Sequence, residues 1–287
     1  MMKQTDDEVV MKRRFHTSEY LRELGIPKIP PLTSPVDVGC DPMTFESHMD
    51  QSSHLISIIK IGLAGWLVAD ENATRQKVAA ARRYSVPTVT GGSPLEIAIS
   101  LRKLSDYLDL CADIGVARVE VMSRVTEARQ KPKTVVSAAT ERELEVQIEL
   151  GKHTSGISGK KAADSMIDQG QEWLDAGAIQ LVVKARENLW HSGLFNRRGM
   201  LNYPYADRFA KIFGLHTVMF EAPDLHSQFA LLDYFGRDVH LCNVHLEDIL
   251  QAESYRRGLH CDAFQKLHLR PQAARKLAQR ELFEAKV

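Results

Sequence analysis

The chain has 287 residues, of which 44% are hydrophobic and 26% charged, enough apolar material for a sizeable core and a composition that excludes long disorder. Lys plus Arg is 37 and Asp plus Glu is 37, which argues against a nucleic-acid binder working through bulk positive charge. No apolar run reaches the roughly 18 residues that a membrane-spanning helix needs.

The opening segment, MMKQTDDEVVMKRR, has no apolar stretch like that of a secretory signal. Cys40, Cys111, Cys242 and Cys261 are scattered and form no CxxC pair. A reduced, cytoplasmic protein without disulfides or a structural zinc is expected. Residues 1–32 read as a charged extension ending in Gly25-Ile26-Pro27-Lys28-Ile29-Pro30-Pro31, where the prolines forbid a helix interior. Residues 269–287 are charged and helix-prone, so the core is placed at 33–268.

Within that core, short apolar, β-branched runs recur at Ser34–Val38, Leu55–Ile61, Val86–Thr90, Ala117–Met122, Val146–Leu150, Ile179–Ala185, Thr217–Glu221 and Val239–Val244. Each is followed by a segment of helical character. After Thr90, for example, Ile97, Leu101, Leu104, Leu108 and Cys111 share one face at helical spacing. Four helix-to-strand junctions end alike, at Gly115, Gly177, Gly214 and Gly236. Glycine there caps a helix in the left-handed region. Strands alternating with helices every ~30 residues predict parallel βαβ units. An open doubly wound sheet would call for a glycine-rich phosphate loop after the first strand, and Val38-Gly39-Cys40-Asp41-Pro42 is none. The expected fold is an α/β (β/α)8 TIM barrel with an N-terminal extension and a C-terminal helix.

In such a barrel the chemistry sits at the C-terminal ends of the strands. Those positions carry Asp37, Lys60, Gly91-Gly92, Glu120, Glu149 with Lys152, Lys184 with Arg186 and Glu187, Glu221, and Asn243. Glutamates gathered in one mouth repel unless a cation neutralises them, and Mg²⁺ suits such oxygen donors. Pairing with Lys60, Lys152 and Lys184 would serve equally for any one of them. A second cluster, Tyr255-Arg256-Arg257-Gly258-Leu259, follows the eighth strand and its helix. It is expected to clamp phosphate through arginine forks and open backbone N–H groups. Gly151–Lys160 lacks the full P-loop spacing and reads as a glycine-rich loop at the mouth. His245, His260, Cys261 and Asp262 match no familiar zinc spacing. Trp66, Trp173 and Trp190 read as packing residues, and His191 is unassigned.

Ile59-Lys60-Ile61-Gly62, Thr90-Gly91-Gly92, Glu149-x-Gly151-Lys152, Ala185-Arg186-Glu187, Phe220-Glu221-Ala222-Pro223, Asn243 and Arg256-Arg257-Gly258-Leu259 occur here in an order that resembles the phosphosulfolactate synthases. Asp37-x-Gly39 and Gly193-Leu194-Phe195 also match, and the resemblance covers roughly residues 34–267. It implies a (β/α)8 barrel and a lyase that adds sulfite to phosphoenolpyruvate with Mg²⁺, an early step toward coenzyme M. Carried onto this chain, it implies Lys152 and Lys60 as catalytic groups, and His153, whose ordinary pKa also suits proton donation, is the rival to Lys152. Arg186, Asn243, Arg256, Arg257 and Gly258 would hold the substrate and its phosphate, and Asp37, Glu120, Glu149 and Glu221 the metal. The partner is then a small phosphorylated carboxylate, not nucleic acid or membrane, and a homo-oligomer is expected.

The chain departs from the family pattern at the mouth. Asp-Lys-Gly reads Asp37-Val38-Gly39, and Glu-x-Ser-Asp-Gly reads Glu120-Val121-Met122-Ser123-Arg124. Gly-Lys-Lys reads Gly151-Lys152-His153, and Glu-Gly-Arg-Glu reads Lys184-Ala185-Arg186-Glu187. Arg-Gly-Asp-Thr reads His260-Cys261-Asp262-Ala263. A shared scaffold with altered chemistry gives such a distribution. The rival readings are a non-synthase homologue resembling plant heat-stress-associated proteins, and another phosphate-binding barrel enzyme using Lys152 or Lys184 in a Schiff base.

Overall fold

The computed structural model describes residues 16–122, 131–151, 160–185, 193–196, 198–266 and 268–270. In chain order the elements begin with α1 (Thr17–Glu23), β1 (Thr33–Asp37), α2 (Pro42–Ser52), β2 (Ile59–Ile61), α3 (Gly65–Val68), α4 (Glu71–Arg83) and β3 (Thr88–Thr90). Next come α5 (Gly92–Ser100), α6 (Leu104–Ile114), β4 (Arg118–Met122), α7 (Pro132–Thr140), β5 (Glu145–Leu150), α8 (Lys160–Asp175) and β6 (Gln180–Val183). The last are α9 (Tyr203–Phe213), β7 (Val218–Glu221), α10 (Leu225–Phe235), β8 (His240–His245), α11 (Ile249–Arg256) and α12 (Cys261–Phe264).

All eight strands are parallel and close into a barrel in sequence order. Each lies within or across one of the apolar runs. The second is shorter than its run because Ser53–Leu55 forms a 3-10 turn before the strand begins. Closure is made where β1 meets β8, with Thr33 beside Leu241 and Val36 beside His245. The register slips between Ser34 and Pro35 there, where proline has no N–H to give the ladder.

Helices α2, α4 and α10 start on acidic caps. Asp41 accepts from Met43 and Thr44 amides, with Pro42 in the first turn, and Asp70 accepts from Asn72 and Ala73. Asp224 and Ser227 form a reciprocal capping box on α10. The four expected glycines end α6, α8, α9 and α10 with positive φ, between 78° and 109°. The long helix expected after Thr90 is instead two. Arg102 takes a left-handed φ of 57° between α5 and α6, so Leu104, Leu108 and Cys111 stay buried while Ile97 and Leu101 face solvent.

Two apolar cores result. The larger lies between strands and helices and holds Phe45, Trp173, Phe209 and Phe220 at full burial; each such side chain contributes roughly 1.5–3 kcal/mol. The smaller is a layer inside the barrel made of Ile58, Val89, Val182, Met219 and Cys242. Buried polar side chains, among them Lys60, Arg118, Glu120, Gln147, Glu149 and His240, build the site and its support.

Candidate active site

Strands β2, β4 and β5 send Lys60, Glu120 and Glu149 to the mouth. Lys60 Nζ lies 2.9 Å from Glu120 Oε2, with both side chains at most 5% exposed. Burial works to lower the Lys60 pKa, but the Glu120 and Glu149 carboxylates outweigh it and hold the ammonium charged. Burial, together with the neighbouring Glu149, raises the Glu120 carboxyl. Gln147, two residues before Glu149 on β5, donates to Glu120 Oε2 at 2.8 Å.

The β6 end contributes Lys184, whose Nζ is 2.8 Å from Glu149 Oε1. Its stem crosses Gly151, where an added Cβ would stand 2.7 Å from Lys184 Cδ. Only a glycine after β5 lets that side chain lie across the strand end. From β7, Glu221 accepts from the Ala185 amide at 2.6 Å and from Asn243 Nδ2 at 2.7 Å. Asn243 reaches it from a left-handed backbone, φ 54°, and its Oδ1 is buried without a partner. Lys184 and Glu221 face one cavity of about 360 Å³, walled by Phe195, Pro223, His226 and Ser227.

Lys60, Glu120, Glu149, Glu221 and Asn243 are thus brought to one end of the barrel. Asp37 is at the same end but engaged elsewhere. Its Oδ2 meets Lys77 of α4 at 2.7 Å, and its Oδ1 accepts from the Gly39 and Cys40 amides. Burial opposes its charge, yet these donors hold the carboxyl below its usual range. Lys152, His153 and Arg186 lie outside the described residues.

Arg256, Arg257 and Gly258 are not at the mouth. Helix α11 runs back from the β8 end, so its last turn stands at the opposite rim. Arg256 is wholly buried there, donating to the carbonyls of Val239 at 2.7 Å and Leu32 at 3.3 Å, just before β8 and β1. Its Nε meets Glu253 Oε1 at 2.8 Å, and Arg257 pairs with the same carboxylate. The Gly258 amide donates to the Tyr255 carbonyl at 2.9 Å, and its φ of 72° closes the helix. The expected phosphate clamp is therefore a fastener joining α11 to the first and last strands.

Below the mouth the polar interior is continuous. Arg118 donates to Gln147 Oε1 at 3.0 Å and to Gln180 Oε1 at 2.8 Å, and pairs with Glu145. Gln180 meets His240 Nδ1 at 3.3 Å, and His240 Nε2 lies 2.7 Å from Ser57 Oγ, which donates to the Thr33 carbonyl. This pattern assigns a neutral His240 protonated on Nε2. Burial and the charges of Arg256 and Arg118 push its pKa down to about 3. Gln147 belongs to no motif, but Glu145, Gln147 and Glu149 alternate with apolar residues along β5, so its spacing from Glu149 carries the inward-facing period.

The donor set does not fit a carboxylate-bound Mg²⁺. Glu120 and Glu149 each hold a lysine, both Glu221 oxygens hold N–H donors, and Asp37 holds Lys77. Among the described residues, the group that brings three metal-ligating atoms together is His260, Cys261 and Asp262 beside α12, away from the mouth glutamates. Asn243 Oδ1 alone is a neutral oxygen and balances no divalent charge.

A model of the (2R)-phospho-3-sulfolactate synthase family matches residues 24–262. The phosphosulfolactate synthase of Methanocaldococcus jannaschii is 27% identical over 237 residues, 82% of this chain and 94% of that protein. That of Methanothermobacter thermautotrophicus is 25% identical, covering 85% and 95%. The Bacillus subtilis enzyme of the same name is 22% identical, covering 80% and 90%. Among solved structures, 3-dehydroquinate dehydratase from Geobacillus kaustophilus superposes with a TM-score of 0.51 at 10% identity, over 80% of this chain and 92% of its own; at that identity the likeness is one of barrel fold alone. The family match spans the barrel from before β1 to α12, with near-complete coverage of the synthases, and so the chain belongs to the (2R)-phospho-3-sulfolactate synthase family.

Proposed function

We propose that the chain catalyses addition of sulfite to C3 of phosphoenolpyruvate, giving a phosphorylated sulfolactate. The observation that carries this reading is the cavity faced by Lys184 and Glu221 beside the buried Lys60–Glu120 pair. As the sulfur–C3 bond forms, the π electrons move to C2 and into the adjacent carboxylate. A fixed ammonium at that carboxylate stabilises the developing charge, and Lys184, which lines the cavity, is the proposed group. C2 then takes a proton, and the phosphate ester stays intact. Lys152, following Gly151, is the proposed donor, with His153 as its rival. Lys60 and Glu120 are too enclosed to meet substrate and serve to fix the mouth. Magnesium takes no part in the step, because Asp37, Glu120 and Glu149 are held by lysines and Glu221 by the Ala185 amide and Asn243.

Protein mixed with phosphoenolpyruvate and sulfite, with and without Mg²⁺, is followed by phosphorus NMR. A new phosphate-monoester signal is expected, together with a rate loss on the order of 100-fold in Lys152→Met. No new signal under either condition would refute the synthase reading and favour the homologue that acts by binding or on another substrate. Full activity in Lys152→Met with loss in His153→Gln would move the proton to the histidine.

A further inference from the structure

Four charged groups of the mouth form a chain from β2 through β4 and β5 to the end of β6. Lys60 bonds Glu120 and feels Glu149, and Glu149 bonds Lys184. The second ammonium is that of Lys184, just past the end of β6. It touches the carboxylate on one side and faces the 360 Å³ cavity on the other. Its side chain is 18% exposed, whereas that of Lys60 is 5% exposed, so Lys184 is the one of the pair that a ligand can reach. An ammonium has three N–H donors, and Glu149 Oε1 takes one. The position is built, since Gly151 makes room for the stem.

We propose that Lys184 replaces a divalent cation at this mouth, neutralising Glu149 and binding the carboxylate of the substrate directly. The binding role rests on the reading of the preceding subsection; the replacement of the metal does not. A lysine so placed supplies the same sign of charge without coordination geometry. It also repels a second cation: Mn²⁺ approaching Glu149 would have to displace an ammonium already in contact.

The test is titration of the full chain with Mn²⁺ alone, reading the free-ion signal by electron paramagnetic resonance in wild type, Glu149→Gln, Lys184→Ala and Lys184→Ala/Glu149→Gln. No substrate is added, so a failed synthase assay leaves the result intact. Wild type is expected to show no Mn²⁺ site that depends on Glu149. Removing the ammonium is expected to tighten Mn²⁺ binding by at least about tenfold, and the second substitution to abolish the gain. Stoichiometric Mn²⁺ binding by wild type that is lost in Glu149→Gln would overturn the proposal. So would an unchanged affinity in Lys184→Ala. Circular dichroism of each variant confirms that the barrel is folded before the comparison is made.

Discussion

His240 sets a pH dependence on stability that can be worked out from its surroundings. The ring lies inside the barrel base between Gln180 and Ser57, with Arg118 and Arg256 nearby. Its pKa is about 3 in the folded protein against an ordinary 6.5. Between those values the unfolded chain takes up a proton that the folded chain refuses, so stability falls as pH falls through 6.5. The slope approaches about 1.4 kcal/mol per pH unit, and integrating from about pH 7.5 to about pH 5 gives a loss of about 2 kcal/mol. Guanidinium unfolding midpoints across that interval measure it, compared with His240→Gln, whose amide does not titrate. The variant's curve should be flatter by that amount, whatever the surface carboxylates contribute to both. Parallel curves for the two proteins would refute the argument, as would a His240 imidazole that titrates near pH 6.5 by NMR.

Lys60→Met should cost about 3–5 kcal/mol, because it leaves Glu120 buried without its cation; Lys60→Met/Glu120→Gln should recover much of that in thermal unfolding. Arg256→Met should lower the unfolding midpoint while leaving phosphoenolpyruvate affinity unchanged by calorimetry, since Arg256 sits at the rim away from the cavity. Gly62→Ala should destabilise by about 1–3 kcal/mol, because its Cβ would fall 2.1 Å from the Asp37 carbonyl oxygen, and that contact is backbone and cannot rotate away.

The barrel was legible because its signals are local and repeated. Apolar runs mark strands, glycines mark helix ends, and both recur at a steady interval. The mouth was legible where a charged residue ends an apolar strand, as for Lys60, Glu120, Glu149 and Glu221. What the sequence hides is who pairs with whom. Asp37 reads as a mouth residue, yet Lys77, 40 residues later on a helix, draws it away. Arg256 reads as a phosphate ligand by its place after the last strand. A helix following a strand returns the chain to the other rim, which makes the arginine a structural group. Lys184 is visible as a departure from the family pattern, but only the crossing over Gly151 reveals what it touches.

The fastener formed by Arg256 has a consequence for how the chain must be made. Thr33 and Glu253 bond to each other 220 residues apart, and Arg256 ties the start of β1 to the start of β8. During synthesis, β1 waits with an unpaired edge until nearly the whole barrel has emerged from the ribosome. Edges of that kind recruit strands from other chains. A chain halted before α11 would have all eight strands and still lack the latch that keeps the first and last together. Its failure would be intermolecular pairing, measurable as aggregation that rises with concentration, rather than simple loss of a helix.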